Sequence, residues 1–208
     1  LYFMFGDVIF FVLFAWLLAL IEIEVEGKYG WAEKIPTWYQ KRGFLGRLFG
    51  LISFGRPITG YHLFVFLFTI FAFHSGFFLG LSWTFGTELK IIALYFIWVC
   101  LWDFSWFVFN PYYGIKNFKK QKIWWFSKSP WVFNLFPLDY FLAIIFSFII
   151  AIIANSFESS VLEFYISFLL SFIIFAIIAI IISPFYHRFY RSMRKKDDRG
   201  ISGVFHKL

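Results

Sequence analysis

The chain has 208 residues, of which 61% are hydrophobic and 27% aromatic, with a mean hydropathy of +0.76 and a formal net charge of +7. Only 15% are charged, against about 25% in an ordinary soluble domain, and a soluble domain this short has too much surface to hide that much apolar area. A soluble fold is therefore excluded, and Cys100, the single cysteine, excludes an intrachain disulfide and a thiolate metal cluster.

Leu1-Tyr2-Phe3 resembles the remnant of a protease-cleavable tag, with Met4 as a native start, and is set aside from the fold. A bilayer core needs about 20 apolar residues in a crossing helix. The first such run covers residues 8–25, with Asp7 before it and Glu22, Glu24 and Glu26 at its end. It is too long for the apolar region of a signal peptide and lacks a basic start, so it is expected to stay in the mature protein. Its closing IEIEVE also has the alternation of a short strand.

Residues 27–60 are broken by Gly27, Gly30, Pro36, Gly43, Gly46, Gly50, Gly55, Pro57 and Gly60. Within them, IPTWYQKRGFLGRLFGLISF (35–54) mixes apolar and cationic residues in the manner of an interfacial amphipathic helix. A second span is predicted over 61–83 and a third over 89–110, where Pro111 stops the helix. A basic, Trp-rich connection follows to Pro137. The fourth and fifth spans cover 138–157 and 161–185, and a basic tail occupies 186–208.

Every lysine and arginine except Lys90 lies on 27–60, on 112–137 or in the tail. Five spans bring these segments to one side, whereas four or six would split them. The fold class expected is all-α: one polytopic transmembrane helical bundle of the cell membrane, N-terminus out and C-terminus in the cytoplasm. The net positive charge then answers to anionic lipid headgroups rather than nucleic acid. Trp31, Trp38, Trp124, Trp125 and Trp131 place the basic connections at headgroup level.

This topology gathers most of the ionisable groups near the inner rim. An acid inside a span costs roughly 2.5–3.5 kcal/mol on insertion scales, so Asp103, in WVCLWDFSWFVFNPYYG (98–114), is the first candidate for function. Glu22 and Glu26 are four residues apart and share a helical face, with Glu24 turned away. Asp103 and Asn110 share another, and His62 opens the second span. Carboxylates, an imidazole and an amide suit a divalent metal, with Glu22, Glu26, His62, Asp103 and Asn110 as ligands. They suit acid–base catalysis equally, with Asp103, His62, Glu22 and Glu26 as the catalytic groups.

Each group also has a plainer role. Three glutamates can mark a solvated helix end, Asp103 can pair with a basic loop residue, and Asn110-Pro111 is a turn initiator. HExxH, P-loop, GxSxG and CxxC motifs are absent from the sequence. Three functions therefore compete. One is a membrane-embedded enzyme acting on a lipid or isoprenoid amphiphile, with Lys41, Arg42, Arg47, Lys119 and Lys120 attracting its headgroup. Another is a small ion- or proton-coupled carrier, its pathway completed by an oligomer. The third is a non-catalytic subunit that binds partners or anionic lipid.

Overall fold

A computed structural model describes residues 2–196 of the chain; the remaining part of the expected tail, with Arg199 and Lys207, lies outside the described residues. The architecture is all-helical. Five helices are long and apolar enough to cross a membrane: α1 (Tyr2–Glu26), α3 (Gly60–Phe78), α4 (Phe85–Phe109), α6 (Leu138–Asn155) and α7 (Val161–Lys195). Two short helices, α2 (Phe44–Ile52) and α5 (Gly114–Asn117), lie on the two long connections. Two antiparallel pairs of two-residue strands complete the fold, β1 (Tyr39–Gln40) with β2 (Ile58–Thr59) and β3 (Trp131–Val132) with β4 (Phe136–Pro137).

Helix α4 is the centre of the bundle and packs against α1, α6 and α7. Beyond Lys90 it is apolar nearly all round, Asp103 and Ser105 apart, as a helix surrounded by others must be, and Trp98, Trp102, Phe107 and Val108 are all buried. Thr84 caps its start, accepting from the Thr87 N–H at 3.0 Å. Its end is closed from outside. The Val108 carbonyl would ordinarily take the Tyr112 N–H, but that N–H goes to Asn110 Oδ1, and His187 Nε2 of α7 donates to Val108 instead at 3.0 Å.

The other contacts of α4 are specific as well. Trp98 Nε1 donates to the Phe11 carbonyl of α1 at 2.8 Å, and the Trp98 ring stacks on Phe14 at 4.9 Å. Helix α3 lies at the edge, held by Phe73 against Phe11 at 4.8 Å and by Thr69 and Tyr95, whose hydroxyls are 2.9 Å apart. Ser147 of α6 meets the Tyr165 hydroxyl of α7 at 2.7 Å.

Several boundaries depart from the sequence reading: α1 begins at Tyr2 rather than 8 and α4 at Phe85 rather than 89. Helix α3 ends at Phe78 rather than 83, where Leu79 and the left-handed Gly80 close it. Helix α7 runs ten residues past 185, through Pro184. Proline removes the donor for the Ile180 carbonyl, and Ser183 Oγ supplies a replacement at 3.0 Å. The 35–54 segment is helical only over Phe44–Ile52, because Tyr39-Gln40 pairs with Ile58-Thr59 and folds the connection back on itself. The IEIEVE stretch belongs to α1 and is helix.

That folding depends on one glycine. Gly30 has φ +66° and begins a left-handed run with Trp31 and Ala32. A Cβ on Gly30 would fall 2.3 Å from the Trp125 ring edge and 3.1 Å from Trp106. Gly27 also has a positive φ but open space around it. Gly30→Ala is therefore expected to lower the thermal midpoint in detergent well below that of Gly27→Ala, which carries only the backbone penalty of about 1–2 kcal/mol. Equal midpoints would remove the close approach as the cause.

Candidate functional site

The site lies where α1 and α4 end and α3 and α6 begin. Glu22 and Glu26, one turn apart, are only 6% and 7% exposed, while Glu24 faces outward and receives Arg194 at 2.7 Å. The left-handed turn at 30–32 folds over the end of α1, so that Glu26 Oε1 accepts the Ala32 N–H at 2.6 Å. Tyr39, on β1, donates its hydroxyl proton to the Ala32 carbonyl and pins the same turn. Glu22 receives the Tyr61 hydroxyl at 3.4 Å.

His62 is held on three sides. Thr59 is the N-cap of α3, and its hydroxyl oxygen accepts the His62 N–H at 3.1 Å. The same hydroxyl lies 2.8 Å from His62 Nδ1. With a second lone pair and its own proton, the hydroxyl pairs with Nδ1 in either tautomer of the ring. The other ring nitrogen, Nε2, stands 3.7 Å from Glu26 Oε1. The Trp31 ring stacks on the imidazole at 4.1 Å, anchored by its own N–H on the Pro57 carbonyl at 3.0 Å.

On the opposite wall, Asp103 of α4 accepts the hydroxyl of Tyr140 from α6. One residue earlier, Asp139 pairs with Arg56 from the 53–59 connection; their side chains are 12% and 14% exposed. Asp139 lies in the first turn of α6, where the helix dipole favours an acid. The Arg56 guanidinium is sandwiched between Trp31 at 5.0 Å and Phe126 at 4.6 Å, and its Nε donates to the Ser53 carbonyl at 3.0 Å. Burial pulls the Arg56 guanidinium below its ordinary pKa, and the carboxyls of Asp139 and Asp103 oppose that pull.

Between these walls is a half-enclosed cavity of about 230 Å³. Glu22, Glu26, His62 and Asp103 all line it, and so do Arg56 and Tyr140. The rest of the wall is mostly aromatic, with Trp31, Trp102, Trp106, Trp125 and Phe126. A second hollow, about 370 Å³ and almost wholly apolar, runs between α4, α6 and α7. Cys100 and Tyr140 belong to both linings.

Other sequence candidates are not brought to the cavity. Asn110 is fully buried, but its amide donates to the Gly27 carbonyl at 2.8 Å and its Oδ1 accepts the Tyr112 N–H at 3.0 Å. Both ends of that amide are engaged, one joining α4 to the end of α1 and the other closing the turn after α4. Lys41, Arg42, Arg47 and Lys119 are exposed and Lys120 half-buried, and none of the five lines the cavity. Among the described residues, no group of three or more His, Cys, Asp and Glu side chains is arranged to hold a metal ion, so the five-residue ligand set is not gathered as one.

Arg56, Asp139 and Tyr140 carry the site and were not candidates in the sequence. Arg56 reads there as one more basic loop residue, and its partner lies 83 residues away. The one available signal was the placement of Asp139 at the head of an apolar span, where a buried acid requires a partner. Comparison with known proteins finds no family model that matches the chain, no similar curated protein and no similar solved structure.

Proposed function

We propose that the chain is a membrane-embedded enzyme performing acid–base chemistry on a lipid or other amphiphile drawn from the adjoining leaflet. The observation that carries this reading is that Glu22, Glu26, His62 and Asp103, from three different helices, line one half-enclosed cavity. Ionisable groups are costly in a bilayer and a scaffold has no need to collect them. His62 and Glu26 form the proton-transfer pair of this reading, imidazole Nε2 facing a carboxyl across 3.7 Å, a gap that closes when substrate enters. Asp103, oriented by Tyr140, is the second acid–base group.

The apolar groove supplies the other half of an amphiphile site. With Cys100 and Tyr140 common to both hollows, a head in the cavity has its hydrocarbon chain in the groove. In the same reading the basic face is cytoplasmic, the N-terminus lies outside and the membrane is the cell membrane, because the lysines and arginines gather on the connections of that one face. Lys41, Arg42 and Arg47 there meet anionic headgroups of the surrounding bilayer. A carrier is less well supported. Beyond the cavity the bundle is packed with rings, Phe14 on Trp98 and Phe11 on Phe73, rather than a polar trail.

Lipid extracts of a host expressing the chain test the enzyme. Mass spectrometry is expected to show a lipid change with the wild-type chain and with Glu24→Gln, whose side chain lies outside the cavity. The change is expected to vanish with Asp103→Asn at the same folded yield. A lipid profile that is identical for wild type and Asp103→Asn would overturn the assignment.

A further inference from the structure

We infer that the head this cavity takes is an organic ammonium, making the substrate a cationic or amino-headed amphiphile rather than a phosphate ester. The inference rests on the enzyme reading above and specifies its substrate class. Four carboxyl groups, Glu22, Glu26, Asp103 and Asp139, line the cavity, and Arg56 is the one permanent cation among the wall residues. Arg56 is already committed to Asp139. An anionic head would meet carboxyls with no free guanidinium or ammonium to receive it, whereas an ammonium would meet carboxyl groups able to ionise against it.

The aromatic wall points the same way. Ring faces attract cations, best at Trp, and quaternary ammonium groups are recognised by cages of this composition. Trp31 and Phe126 already hold one cation between them, the Arg56 guanidinium, at 5.0 and 4.6 Å. Trp102 and Trp106 line the remainder of the cavity. A further observation concerns Trp106, which is 4% exposed and whose indole N–H has no hydrogen-bond partner in the protein. An unpartnered buried donor on the wall calls for an acceptor in the occupant. The head that satisfies all three features is an ammonium with a neighbouring hydroxyl or ester oxygen. The cavity, at about 230 Å³, is smaller than the roughly 300–1,000 Å³ of drug-sized sites and holds a head alone. The chain then continues into the groove.

The experiment uses the full chain in an uncharged maltoside detergent and measures calorimetric binding of three probes of equal chain length. These are dodecyltrimethylammonium, laurate and 1-dodecylglycerol. The ammonium is expected to bind at least about tenfold more tightly than the other two, the scale of a desolvated cation–π contact together with a carboxylate. Asp103→Asn and Glu22→Gln, each checked for folding by gel filtration, are expected to weaken the ammonium by about tenfold and to leave 1-dodecylglycerol unchanged. Glu24→Gln should bind all three as the wild type does. Equal binding of the probes, a preference for laurate, or an ammonium affinity indifferent to both cavity variants would overturn the inference. A laurate preference combined with lost turnover in Asp103→Asn would refute the head class alone and leave the enzyme standing.

Discussion

Arg56→Met is expected to destabilise the protein by about 2–4 kcal/mol, because it removes one member of a mostly buried ion pair and leaves the other without compensation. The Arg56 and Asp139 side chains are 12% and 14% exposed, and Asp103 lies on the same cavity wall. The guanidinium is the one permanent cation among the groups lining that cavity, so its removal leaves the four carboxyls there with no permanent counter-charge. Packing is lost with it, since the Arg56 fork is stacked between Trp31 and Phe126 and tied to Ser53. Asp139→Leu in the Arg56→Met background is expected to recover most of the loss, as an apolar pair of similar volume often replaces a buried salt bridge without penalty. Arg56→Lys keeps the charge but loses the planar stack and the Nε bond, and is expected to fall between wild type and Arg56→Met. Unfolding midpoints in detergent measure all three. A single variant as stable as the wild type, or a double variant no better than the single, would show that the pair does not hold the site closed.

The limits of the sequence lie in the same place as this ion pair. Length and apolarity alone mark the five long helices, since a bilayer fixes how many residues a crossing needs. The four-residue spacing of Glu22 and Glu26 is enough to put both on one face and Glu24 on the other, because helical geometry is local. Nothing local joins Arg56 to Asp139, or Asn110 to Gly27, each pair being 83 residues apart. Those partnerships depend on how the 27–60 connection folds back, through the left-handed turn at 30–32 and the pairing of 39–40 with 58–59. Proline at 184 removes a backbone donor from α7, and the serine before it donates to the orphaned carbonyl as the helix continues, a replacement that the span length does not reveal. The basic residues were legible as charge but not as position. Lys41 and Arg47 are exposed, while Arg56, of the same type and on the same connection, is mostly enclosed in the cavity wall.

Asn110 carries the second large effect, and it separates two roles that the sequence leaves together. The residue is fully buried at the end of α4, with its amide donating to Gly27 and accepting from Tyr112. Asn110→Ala strips both bonds, leaving the Gly27 carbonyl and the Tyr112 N–H without this partner and a void where a fully buried side chain stood. The expected loss is about 2–4 kcal/mol, read as a lower unfolding midpoint. Asn110→Asp is the discriminating variant. A metal centre accepts a carboxylate in place of an amide oxygen, and there the Asp variant would outperform Ala. A hydrogen-bonded staple does not, because Asp keeps the acceptor for Tyr112 but turns a second oxygen against the Gly27 carbonyl, so two acceptors face each other. The structure therefore predicts that Asn110→Asp is no more stable than Asn110→Ala and that a chelator moves neither midpoint. Rescue by Asp that disappears on adding the chelator would return Asn110 to the ligand set. Loss in both variants, with or without chelator, would identify it as the joint that keeps the end of α1, and with it Glu22 and Glu26, against α4.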